Sequence, residues 1–137
     1  MSAATTRLPF SSGQMATLTV AGVTFWFIGA LICRWVGAIG AFEGANRVLL
    51  YAALVPGTLP VILLVRRIAR LAPDQVALGS AIVTAAAIAC DSIALVVIPD
   101  LYGAGIEQTA ASGAVILWGG AVAIALGCGL NRIPARS

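Results

Sequence analysis

The chain has 137 residues, 61% of them apolar and 9% charged, with eight arginines, five carboxylates, no lysine and no histidine. So few charges exclude an ordinary soluble domain of this length, and the lack of histidine removes the commonest general base and metal ligand. The net charge of +3 reads as a topology signal, and not as a footprint for nucleic acid.

Four apolar runs fill most of the length, each near the roughly 20 residues that a helix needs to cross a bilayer. They lack the alternation of a barrel strand, which would also be about half as long. The expected fold is all-α: an integral membrane four-helix bundle with spans at about 15–39, 48–65, 76–98 and 109–130. Residues 1–14 and 131–137 are the expected tails, and both termini are expected to be cytoplasmic.

The first run holds Gly29, Cys33 and Gly37 at four-residue spacing, a pattern that lets membrane helices approach closely. Ala38-Ile39-Gly40 resembles the cleavage site of a secretory signal. The length of the run, Arg34 before that site and a tail with Arg7 as its one basic residue favour an uncleaved helix. Arg34 would lie roughly 8–9 Å from the outer end of this helix. There it either pairs with a carboxylate or snorkels to the headgroups beside Trp35.

The second run carries Val55-Pro56-Gly57-Thr58-Leu59-Pro60 at its middle. Each proline lacks an amide hydrogen and crowds the preceding turn, so the carbonyls of Ala52 and Pro56 lose their usual donors. A kink or break is expected at Pro56, Gly57 and Pro60. Broken helices at this depth can bind ions or substrates. The alternative is a packing kink satisfied by Thr58 or by neighbouring helices.

Arg66, Arg67 and Arg70 follow in the second connection and are expected to meet anionic lipid headgroups. With Arg7, Arg132 and Arg136 they mark the inner side. Arg34 and Arg47 alone fall toward the outer side, and the third connection, with Asp100 and Glu107, has no basic residue.

The third run contains Asp91, a charge within about 23 otherwise uncharged residues and about 12 Å from the outer end. An aspartate near the middle of a spanning helix costs roughly 2.5–3.5 kcal/mol, which calls for a partner, water or a proton. At 100° per residue Ser80, Thr84, Ala87 and Asp91 share one face, while Leu78, Ile82, Ile93 and Val96 lie opposite. The polar face should look into the bundle and the aliphatic one into lipid. Candidate partners for Asp91 are Arg34 and the carbonyls freed in the second helix. Ala81, Ala85 and Ala89 repeat the four-residue spacing in this helix, as do Gly119, Ala123 and Gly127 in the fourth.

Cys33, Cys90 and Cys128 have no metal-ligand spacing and are expected to be buried, inert thiols. Cys33 and Cys90 fall at similar depth, so a bridge between them stays open. No catalytic residues, metal site or cofactor are expected: Asp91 and Ser92 are adjacent on a helix and do not face each other as base and nucleophile would. Glu43, Asp100 and Glu107 read as a solvated surface.

The run Trp26-Phe27-Ile28-Gly29-Ala30-Leu31 leading to Arg34 and Gly37, the prolines of the second segment, Asp91 followed by Ile98-Pro99-Asp100, and the Gly113–Gly119 stretch with Trp118 form a pattern over about residues 24–127. It resembles a small bacterial family of four-helix membrane proteins, domain of unknown function 5367. The resemblance implies a membrane-embedded module with Arg34 and Asp91 as its polar signature, and implies no activity. Small multidrug exporters share the size and helix count, but their membrane carboxylate lies in the first helix, where this chain has none.

Two functions are consistent with this pattern. One is a structural or accessory module in the bacterial cytoplasmic membrane, acting as a homo-oligomer or a subunit of a larger complex, in which an Asp91–Arg34 pair fixes helix register. The other is a small proton- or cation-coupled transporter or channel protomer that uses Asp91.

Overall fold

A computed structural model describes residues 9–132. Arg7 and Arg136, which entered the charge count, and most of both tails lie outside them. The described chain is four long helices, α1 (Ser12–Ala38), α2 (Gly44–Ile68), α3 (Val76–Val97) and α4 (Ile106–Leu130), with a short 3-10 turn at Pro99–Leu101. All four are long and apolar enough to cross a membrane, and no strand occurs among the described residues. The chain is a multi-pass helical membrane protein.

Local chemistry sets the helix ends. Ser11 and Gln14 form a capping box in which the Ser11 hydroxyl accepts from the Gln14 amide and the Gln14 side chain accepts from the Ser11 amide. α1 therefore begins before its apolar run. α2 ends in a Schellman turn: the Leu71 amide reaches back to the Arg66 carbonyl at 2.9 Å, and Arg70 takes the left-handed conformation with φ 50°. α3 stops before Pro99, because the residue preceding a proline avoids helical angles.

α2 is one continuous helix through Pro56 and Pro60, so the expected break is not there. The two lost amides leave the neighbouring helical bonds in place. Thr58 adds a hydroxyl bond to the Leu54 carbonyl at 2.6 Å, not to either carbonyl that the prolines free.

Helix order in space differs from order in sequence. α3 packs on both α1 and α4, and α2 leans mainly on α4, while the consecutive helices α1 and α2 share little contact. Two apolar clusters result. Leu18, Ala21, Val65, Ala69, Leu71 and Val83 fill the end nearer the N-terminus; Ala30, Cys33, Ala94, Tyr102 and Val115 fill the other.

One close helix approach lies outside the expected small-residue stripes. A Cβ on Gly22 would meet the Ala86 Cβ and the Val83 carbonyl at 2.6 Å, so α1 and α3 touch backbone to backbone there. Within the stripes Gly127 approaches Ser80, whereas Gly29 and Gly119 face open space and Ala85 and Ala89 are exposed.

Candidate functional site

The third helix turns its polar face inward as its periodicity predicts: Ser80, Thr84 and Asp91 are all buried, at 5–7% exposure, while Ile93 and Val96 are exposed. Ile82 departs from the pattern. It packs with Phe10 and Phe25 against the Leu18–Val83 cluster at the end nearer the N-terminus, because α1 covers that flank of α3.

Asp91 has a partner, and it is not Arg34. The Tyr102 hydroxyl donates to Asp91 Oδ1 at 2.5 Å, and the Trp26 indole Nε1 donates to the same hydroxyl oxygen at 3.0 Å. Indole, phenol and carboxyl thus form a chain from α1 through the third connection to α3. Tyr102 is fully buried. Burial, and then the bond to Asp91, push its phenol above the usual tyrosine range, so it keeps the proton that it donates.

The connection folds inward for readable reasons. Pro99 ends the helix, the 3-10 turn reverses direction, and Gly103 at φ 136° bends the chain back over the bundle. Gln108 clamps the turn: its Nε2 donates to the carbonyls of Arg34 at 3.2 Å and Tyr102 at 3.3 Å. That side chain passes against Gly37 and Gly103, where a Cβ on either glycine would collide with it. The buried Ser112 hydroxyl also faces the Tyr102 carbonyl at 3.5 Å.

The expected Asp91–Arg34 pair is replaced by two separate bonds. Arg34 is exposed, and its Nη1 donates to the Asp100 carbonyl at 2.7 Å, bracing the same turn from outside. A guanidinium on the rim can satisfy itself there and keep its contact with water or headgroups. Drawing it inward would desolvate a second charge.

Ser80 and Thr84 do not join Asp91. They line a cavity of about 40 Å³ with Thr58 and Ala123, between α2, α3 and α4. Asp91 lies seven positions beyond Thr84 along α3, or about 10 Å, so one polar face serves two sites.

Pro56, Gly57 and Pro60 contribute no described bond to either site. Arg66, Arg67 and Arg70 are exposed at the opposite end of the bundle. The three cysteines are free, with Cys33 buried, Cys90 half-buried and Cys128 exposed. Among the described residues no three histidine, cysteine or carboxylate side chains gather as metal ligands would.

The basic end holds contacts that the apolar pattern did not signal. Gln14 Nε2 donates to the carbonyls of Ala69 and Arg70, and to Gln75 Oε1, each at 3.3 Å. Gln75 in turn bonds the Pro9 carbonyl and accepts from the Ala72 amide. Asn131, past the end of α4, accepts from the Ala77 amide at 3.0 Å and so caps α3 from another helix.

Near the middle, Trp118 Nε1 donates to the Tyr51 carbonyl at 3.0 Å, and the two rings stack at 5.9 Å. This holds α2 on α4.

Tyr102 and Trp26 are the residues that sequence reasoning missed. Trp26, Ala30 and Cys33 lie at i, i+4 and i+7, one face of α1, which was a usable signal for a buried seam. No family model, no curated protein and no solved structure matches the chain.

Proposed function

We propose that this protein is a structural or accessory membrane module without catalytic activity, and that Asp91 fastens its third connection over the bundle. The observation that carries the reading is the Trp26–Tyr102–Asp91 chain, in which the buried carboxyl has a donor from its own connection. A group with a permanent partner needs no transported ion to offset its burial. The same reading places both termini on the cytoplasmic side of a bacterial membrane, with Arg66, Arg67 and Arg70 among anionic headgroups. It includes a bend of α2 at Pro56 and Pro60, assembly as a homo-oligomer or within a larger membrane complex, and the family resemblance carried by Arg34 and Asp91.

Reconstitution tests it directly. Asp91→Asn keeps an oxygen acceptor for Tyr102, so the variant should fold and assemble close to wild type, and neither protein should move protons or cations across vesicles. Proton or cation flux in wild type that Asp91→Asn abolishes would overturn the reading. It would support the second one, a small ion-coupled transporter or channel protomer.

A further inference from the structure

α1 and α2 meet chiefly near the basic end, where Leu18 and Ala21 share an apolar cluster with Val65 and Ala69. Beside that cluster a groove of about 590 Å³ runs between them, lined by buried Ala21 and by exposed Val20, Ile28, Leu64 and Ile68. Thr17 and Thr24 also line it, but their hydroxyls are directed to the Gly13 and Val20 carbonyls at 2.9 and 2.8 Å. The groove is therefore apolar in what it offers.

Along α1 it extends from Ala16 to Ile28, about 18 Å, a little over half of a roughly 30 Å hydrocarbon core. It spans one leaflet, and its shallow end is the basic end. There Gln14 ties the last turn of α2 to the first turn of α1 through the Ala69 and Arg70 carbonyls. Arg67 and Arg70 flank the lining residue Ile68 in sequence at this end, with Arg66 beside them, and all three are exposed. Asp74 is the one carboxylate on that side among the described residues.

We propose that this groove seats an acyl chain of an anionic phospholipid, with its phosphate held by Arg67 and Arg70. Charge and shape both favour lipid over a second helix. Val20, Ile28, Leu64 and Ile68 stand exposed around it as branched side chains that hold another backbone off the smaller Ala16, Thr17, Ala21 and Thr24, where helix pairing needs close approach. A second copy docked side by side through this face would also crowd two arginine clusters at one level. The proposal rests on the membrane reading but not on which side the basic end faces.

Lipid selectivity in symmetric phosphatidylcholine vesicles tests it. Spin-labelled phosphatidylglycerol should associate with wild-type protein more strongly than spin-labelled phosphatidylcholine, each arginine contributing up to about a five-fold preference. Arg67→Gln with Arg70→Gly should lower the ratio several-fold, leaving no more than the contribution of Arg66; the glycine suits the left-handed turn, so misfolding does not explain the loss. Val20→Trp, which fills the groove, should lower the immobilised fraction of both labels. Equal association of the two labels with wild type, or a ratio unchanged by the arginine substitutions, overturns the proposal. So does a disulfide between copies through Val20→Cys with no immobilised lipid, which would put a second copy there. Failure of the membrane reading would look different: the protein would be extracted from vesicles by alkaline carbonate.

Discussion

The two ends of the bundle are held by polar side chains in opposite ways. Toward the Asp91 end a carboxyl, a phenol and an indole are bonded in series, and two of the three, Asp91 and Tyr102, are buried. At the basic end Gln14, Gln75 and Asn131 bond backbone groups near the surface, where water or headgroups can replace a lost contact. Equal numbers of hydrogen bonds should therefore differ in worth, because a group left unpaired in the interior bears its full desolvation penalty.

Tyr102→Ala should break the comparison most severely. It removes a fully buried ring and leaves Asp91 without its donor, for a loss of about 3–5 kcal/mol in unfolding measured in mixed micelles. Tyr102→Phe keeps the ring and removes only the hydroxyl, and should cost about 1–3 kcal/mol. Packing between the ends gives the next test: Gly22→Val should cost about 1–3 kcal/mol, because its side chain meets the Val83 backbone, which cannot step aside. Gly29→Ala, four residues from Phe25 on the same helix and facing open space, should be neutral or stabilising by up to about 1 kcal/mol.

Smaller effects belong to the basic end. Gln14→Ala should cost about 1 kcal/mol, since it removes half of a capping box and the tie to α2. Were it to cost as much as Tyr102→Phe, burial would not be what separates the two ends. Arg70→Gly should stabilise by about 1 kcal/mol by relieving a left-handed non-glycine residue.

Much of this was legible in the sequence. The four spans followed from apolar run length, and the burial of Ser80, Thr84 and Asp91 followed from the helical period. The partner of Asp91 did not. Periodicity orients a side chain within its own helix, but Tyr102 arrives from a connection whose inward path depends on Pro99, on Gly103 and on Gln108 threading past Gly37. Arg34 was placed at the correct end, yet opposite charges on two helices do not establish that the helices present them to each other. The prolines of α2 gave a true account of missing amides; of the expected kink or break, the break is absent, because the rest of the helix remains bonded around them.

The spatial neighbours of each helix were equally hidden. Nothing in a short α1–α2 connection announces that α3 will occupy the flank of α1, which is why Ile82 is covered and the groove along Val20 and Leu64 is open.

A double-mutant cycle on Asp91→Leu and Tyr102→Phe tests the central claim, that the carboxyl is a fastened structural group. The account predicts that each single change is destabilising and that the pair costs less than their sum by about 1–2 kcal/mol, because the second change removes a group already left without its partner. Additivity within about 0.5 kcal/mol would contradict it, since the two side chains would then not depend on each other in the folded protein.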